Sequence, residues 1–574
     1  VKVWSPLTIL AFTIPLIVGI ASVSCSALAD APTAAEQWVL DQINGGKAAD
    51  LDVFCNTPAG QVSAAGGPEA CRVLSGAFVE RLLTGKTLPA DHWPHGGLEI
   101  QAAQIEGDVN LSGSSLPGRV SLNNSIVDGS VTLDDVNFDH SLDLECNVFA
   151  SDVSGTGVHV GGDLSLRASR FLKAIDLVGS KIGGFLLAGG ASFYQRLQLG
   201  NANIGLTLSL GHIAASRCRR SRLDRADIAV SAPEGVALDA TTIGGNLLME
   251  GDYDNGPEAS DDAISANAAN VHGRVGIAAR VYGSTDLRNL VVGDYLNLSS
   301  SDFSGPVKAH SLTVAHDATL GGARFRKGID ISNSTIGGTL DLRESQWASD
   351  IPGYRTNSID LRNAHVGRLA DDARAWPGDY HLVGFAYGSL LPDATAQPRD
   401  WRRLWLEQDK DEERGFEPQL YRQLGSVVTD SGDRDQGNEI QYWARQRQRH
   451  AAANSGNWAT YAELTLLDYT VGYGIGNYTF RVLWWVVGFT LLGALVLRSS
   501  PVARKKGLAW RIQASLDRLL PIVALSPEFE EFFKDPEQSQ LAGWQVSFFA
   551  AVAIVGWALG LFLAAAMSGL TQTA

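Results

Sequence analysis

The chain has little sulfur, little charge and no surplus of base. Two methionines and five cysteines among 574 residues exclude a cysteine-dense secreted scaffold. No two cysteines stand as C-x-x-C, which excludes a thioredoxin-like redox pair and a ribbon-type zinc site. Against 62 acidic residues there are 46 basic ones, a net charge of −16, so the electrostatic footprint of a nucleic-acid binder is missing and no nucleic-acid partner is expected. Also missing are a dinucleotide fingerprint between strand and helix and a G-x-S-x-G elbow. The histidines are scattered. Their one tight group, Asp91-His92-Trp93-Pro94-His95, reads as a capping loop and not as a metal site. No catalytic residue, cofactor or metal is therefore assigned, and the reading leans away from an enzyme.

Glycine is abundant instead, 61 residues, which points to a turn-rich architecture. It belongs to a repeat. Val160-Gly-Gly-Asp-Leu-Ser-Leu166, Ile182-Gly-Gly-Phe-Leu-Leu-Ala188 and Ile204-Gly-Leu-Thr-Leu-Ser-Leu210 follow one another at intervals of 22 residues. The frame recurs at Ile105, Val127, Ile243, Val292 and Ile336, with a second apolar-x-apolar dyad eleven residues into the unit, as at Val120/Leu122 and Leu142/Leu144. Such a dyad is a minimal strand with two side chains on one face, and helical spacing is absent. The expected fold is mainly β: a single-stranded β-solenoid of 22 residues per coil over residues 98–370. Eleven or twelve coils at about 4.8 Å each make a rod of roughly 55 Å. The Gly-Gly pairs are expected at corners of positive φ.

Two interruptions are expected as surface loops. Residues 216–225 read SRCRRSRLDR, so that Arg217, Arg219, Arg220, Arg222 and Arg225 stand on an extruded segment, with an anion or lipid contact as the sharper alternative. The other is the acidic stretch Tyr253 to Asp262. Solenoid ends must be covered. Within residues 30–97, Pro68 to Thr84 carries helical apolar spacing and is the expected cap. Residues 371–477 are expected to be helical and juxtamembrane, with helices from Asp400 and Pro418.

The chain's ends are membrane-directed. Residues 1–29 read as a signal peptide, with Cys25 inside it and cleavage after Ala29 or Ala31. Export implies an oxidising compartment, and Cys55 with Cys71 is the disulfide candidate, while Cys146 and Cys218 receive no chemistry. Residues 478–498 and 541–570 have the length and apolarity of membrane spans. Between them, in loop 499–540, Arg498, Arg504, Lys505, Lys506 and Arg511 place the loop on the cytoplasmic side and residues 30–477 outside. In the second span Gly556, Gly560, Ala564 and Ser568 recur every fourth residue, a stripe suited to close packing within the hairpin or between protomers of a homo-oligomer. The string Thr470-Val-Gly-Tyr-Gly474 matches a potassium filter, but no span precedes it, and it reads as a turn.

The IGG-x-L-x-L units, Gly97-Leu98-Glu99-Ile100 ahead of them, Phe416-Glu-Pro-Gln-Leu-Tyr421, Tyr473-Gly474 before Arg481, and Ser515-Leu-Asp-Arg-Leu-Leu-Pro521 together resemble a group of bacterial membrane-anchored proteins with pentapeptide-repeat-like β-solenoids. The resemblance covers residue 68 to the end and implies a solenoid attached to the bacterial inner membrane. Members often carry an oxidoreductase label, and no catalytic residue transfers from them.

The functional expectation is a non-enzymatic envelope protein that is held by the lipid bilayer and presents the solenoid to an envelope protein or glycan. One alternative is an oligomeric, channel-like protein built from the two-helix hairpin and the Ser515–Pro521 loop. Another is a membrane-associated oxidoreductase.

Overall fold

The computed structural model describes residues 31–56, 70–85, 93–94, 96–211, 218, 230–232, 235–254, 262–347, 358–391, 401–408, 415–520, 525–535 and 538–567. The expected signal segment lies outside these residues. So do Arg217, Arg219, Arg220, Arg222, Arg225, Asp91, His92, His95 and Ser568.

From Leu98 to Leu390 the described chain is a succession of short strands, and every pairing among them is parallel, each strand with its counterpart one repeat away. Leu142 faces Leu164, Leu164 faces Leu186, and Leu186 faces Leu208. Each 22-residue unit contributes four strands, not two. Beside the rows begun by Val109 and Val120 run those of Leu116–Phe138–Val160–Ile182 and Val127–Phe149–Phe171–Phe193. The Val109 row is a sheet of its own, with 12 strands, and the other rows join in a second sheet. At about 4.8 Å per strand the 12-stranded sheet spans a little over 50 Å.

The inward residues of the four rows fill the interior. Phe149, Phe171 and Phe193 stack at centroid distances of 4.8 and 5.3 Å, and farther along Phe303, Phe325 and Trp347 repeat the arrangement. A second ladder is polar and buried: Ser125 N donates to Asn147 Oδ1, and Asn147 N donates to Ser169 Oγ, so the corner amides are satisfied repeat by repeat.

The Gly-Gly pairs do not serve the purpose expected of them. None of Gly161, Gly183, Gly244 or Gly337 has positive φ. Each instead lies against the backbone of the preceding repeat: a Cβ on Gly183 would sit 2.3 Å from the Gly161 carbonyl oxygen, and one on Gly244 2.2 Å from that of Gly205. Close approach, not backbone handedness, demands glycine there. The left-handed corners fall elsewhere, at Asp135, Asn201, Asn289, Asn333 and Asn363 on one edge, and at Asn124, Cys146 and Ala168 on another. Asn and Asp tolerate this region better than other side chains.

The repeat is constant from Val109 to Leu197 and then varies. Leu197 pairs with Val236, Val236 with Ile264, and Ile329 with Ile359, so the extra residues 212–229, 255–261 and 348–357 leave the stack and return to it in register. Tyr253, expected in a surface loop, is fully buried at the end of strand Leu247–Asp254, with its hydroxyl donating to the Leu210 carbonyl at 3.2 Å. The strands also run past residue 370: Asp379–His381 and Ala386–Leu390 are the last to join.

Both ends are covered. At the first, helices Ala34–Asn44 and Gly76–Leu83 pack on the opening repeat, while Ala49–Asp50 and Val73–Ser75 add short strands to it. The expected helix thus begins only at Gly76, because Val73–Ser75 is taken up by pairing with Gln104–Glu106. A capping box at Thr33 and Glu36 starts the first helix. Glu36 also accepts from Ser75 N and Oγ. At the other end, helix Pro418–Asp430 closes the edge with its glutamines. Gln419 accepts from Gly384 N at 3.1 Å and donates to Phe385 O at 3.0 Å, and Gln423 donates to Tyr387 O at 2.6 Å. A bidentate Arg402–Asp371 pair at 2.6 and 2.7 Å is buried beneath.

Helices Arg434–Asn454 and Trp458–Val471 follow, the second of which the sequence reading did not resolve. Two segments, Gly476–Leu497 and Gly543–Leu561, are long and apolar enough to cross a membrane. Between them the chain is helical at Pro501–Lys505, Leu508–Leu519 and Pro527–Lys534.

Candidate functional site

The 12-stranded sheet turns a polar surface outward. Along the stack its outward row reads Asn110, Thr132, Ser154, Asp176, Gln198, Ala237, Ser265, Asp286, Lys308, Asp330, Asp360, His381. Where the repeat first lengthens, this surface sinks into an open groove of about 390 Å³ lined by Arg196, Gln198, Asp239, Asp262, Asp286 and Arg288 with their neighbours. Strand geometry builds it, since residues two apart on one strand and equivalent residues on the next point the same way.

The charges in the groove are tied to one another. Arg288 grips Asp286 with Nε at 2.8 Å from Oδ1 and Nη2 at 2.5 Å from Oδ2. Burial pushes the Asp286 carboxyl up, but the bonds and charge of Arg288, with Lys308 beyond, outweigh it and hold the group below the usual carboxylate range. Lys308 Nζ lies 2.8 Å from Asp262, which also accepts from Ser284. Asp239 accepts from Ser265 Oγ and from Asn267 N. Each carboxylate thus faces a cation or hydroxyl, and among the described residues no set of three His, Cys, Asp or Glu side chains could hold a metal ion. What the groove offers is a dense array of fixed hydrogen-bond donors and acceptors.

Two disulfides flank the stack. Cys55 and Cys71 are joined within the N-terminal cap, as the sequence reading expected. Cys146 and Cys218 are also joined, which corrects the reading that gave them no chemistry. Cys146 stands at a left-handed corner three repeats before the long insertion, and Cys218 lies within that insertion, so the bond ties the insertion back along the stack. A separation of 72 residues across an insertion has no signature in the repeat frame.

A third assembly stands where the helices meet the first span. Asp468, nearly buried, accepts from Tyr442 Oη, Arg449 Nη1 and Arg481 Nη1, each at 2.6 Å. Tyr442 stacks on Tyr478 at 4.0 Å and packs against Tyr473. Burial, then the Asp468 charge, pushes the Tyr473 hydroxyl up to about 12. The filter-like string lies here: Gly472, Tyr473 and Gly474 form a tight turn with φ of 56°, 57° and 71°, ahead of the first span and not between two spans.

The hairpin contains more than its spans. Helix Leu508–Leu519 lies against both of them. A Cβ on Gly493 would meet Ser515 Oγ, and one on Gly556 would meet the Leu519 carbonyl oxygen. The first glycine of the small-residue stripe therefore packs within the hairpin, while Gly560 is half-buried and Ala564 exposed. No family model, curated protein or solved structure matches this chain.

Proposed function

We propose that this chain is a membrane-anchored envelope protein whose parallel strand stack is a single-stranded β-solenoid, presented as a binding or scaffold surface to an envelope protein or glycan. The observation that carries the reading is the polar 12-stranded sheet with its groove, a rigid surface more than 50 Å long whose donors and acceptors are held by ion pairs and short strands. Hydroxyl-rich and polar partners are recognised by such arrays, because fixed donors and acceptors lose little freedom on binding.

Two disulfides support an oxidising compartment for the stack, and the cluster Arg498, Arg504, Lys505 and Lys506 after the first span supports a cytoplasmic inter-span loop. Both point to a solenoid outside the inner membrane. The resemblance to membrane-anchored repeat proteins agrees with this placement.

The test is photo-crosslinking in intact cells, with a benzophenone amino acid at Gln198 in the groove and, for comparison, at Asn137 on another wall. Adducts of discrete mass from Gln198 and none from Asn137 are expected. Equal yields from both positions, or adducts only with a second copy of the chain, would sink the reading.

A further inference from the structure

The spans of the hairpin set a depth scale for what is packed between them. Gln545 Nε2 donates to Val496 O and to Ser499 Oγ, each at 3.0 Å, and Ser500 Oγ donates to Ser539 O at 2.9 Å; these contacts mark the level at which the spans meet the loop. Lys506, Trp510 and Glu528 lie at the start of helix Leu508–Leu519, joined at 2.7 and 3.1 Å. From there the helix runs inward. Ser515 lies against Gly493, and Leu519 reaches Gly556. Gly556 is 11 residues beyond Gln545, and at 1.5 Å per residue that is about 16 Å below the loop level. In a hydrocarbon core of about 30 Å the tip of the helix is at the midplane.

Asp517 and Arg518 are within one turn of that tip. Asp517 Oδ1 accepts from Leu525 N at 2.5 Å, where the chain has come back up. Arg518 is exposed, its guanidinium 5.7 Å from the Phe533 ring. Ser515 Oγ is buried with no hydrogen-bond partner. Backbone that turns back at membrane depth is tolerated only where protein buries it or water bathes it, and an arginine facing acyl chains there is costly. One hairpin gives Arg518 neither cover nor a carboxylate partner among the described residues.

We infer that the hairpin is completed by further copies of this chain, which assemble with their inward helices around a shared water-filled vestibule lined by Asp517 and Arg518. The missing occupant is a second copy and not another protein, because each copy brings the same carboxylate and guanidinium to that depth. Symmetric packing therefore sets the Asp517 of one copy within reach of the Arg518 of its neighbour. This inference stands apart from the binding role of the strand stack.

The test uses the full chain in lipid nanodiscs and proteoliposomes. Mass measurement of the unaltered chain is expected to find three or more copies per disc; one copy would overturn the inference. In proteoliposomes Arg518→Cys is expected to react with a charged, membrane-impermeant thiol reagent within about tenfold of Gly507→Cys at the loop level, because water reaches both. A loss of reactivity of a thousandfold or more, in an assembly of unchanged mass, would remove the vestibule. If Arg518→Cys fails to assemble, Gln513→Cys on the same helix supplies the accessibility reading, and the same loss there would overturn the proposal.

Discussion

The strand stack and the junction at Asp468 are both well-packed parts of one chain, held together in opposite ways. In the stack one small set of contacts is made again in every repeat, so each contact is backed by its copies. At the junction Tyr442, Arg449 and Arg481 converge on a single carboxylate, and nothing duplicates it. Repetition spreads stability along a molecule; convergence concentrates it at a point.

The contrast is most sharply broken from inside the stack. Phe171, 1% exposed and sandwiched between Phe149 and Phe193, is expected to lose about 3–5 kcal/mol on replacement by Ala. Hydrogen exchange should show protection lost in the neighbouring repeats and kept near Phe325; uniform loss along the stack would mean that repetition does not localise damage. Next in size is Cys146→Ser. Opening a bond that spans 72 residues is expected to cost roughly 2–4 kcal/mol, read as a lower thermal midpoint for the stack, with the helices unaffected. An unchanged midpoint would mean that the insertion is tied back by other contacts.

At the junction, Asp468→Asn keeps the shape and removes the charge. About 2 kcal/mol is expected to be lost, less than a fully buried pair would give because Arg481 is 37% exposed at its side chain. Limited proteolysis between Asn454 and Trp458 should accelerate while the stack stays resistant. The smallest effect is that of pH. The Arg326 guanidinium holds the Asp302 carboxyl below its usual range against the opposing effect of burial. Its folded pKa lies under its unfolded one, so its stabilisation is complete above about pH 4 and is lost as the pH falls through the folded value. Asp302→Asn should flatten the acid limb of the midpoint curve slightly; an unchanged limb would assign that limb to other carboxylates.

Legibility in the sequence follows the same division. The dyads at Val120/Leu122 and Leu142/Leu144 announce the parallel stack because each is repeated at a fixed interval. The rows through Phe138 and Phe149 were missed because each shows a single apolar residue beside a turn, a pattern shared with loops. The Gly-Gly pairs were located correctly and explained wrongly, since a sequence shows that Cβ is absent but not which neighbour excludes it. The groove, the Cys146–Cys218 bond and the Asp468 cluster each join residues with no common period. Tyr442 and Arg481 are 39 positions apart, and only the folded helices bring them together.

The pairing of each repeat with the next has a consequence for how such a chain can change length. A duplication or deletion of one whole 22-residue unit between Val109 and Leu197 presents the same four edges to the same four edges, and the ends, with their caps and their anchor, need no redesign. A change of one or two residues within a strand would turn apolar side chains outward in every row beyond it. The distance between the N-terminal cap and the membrane anchor is thus graduated like a ruler, in steps of about 4.8 Å.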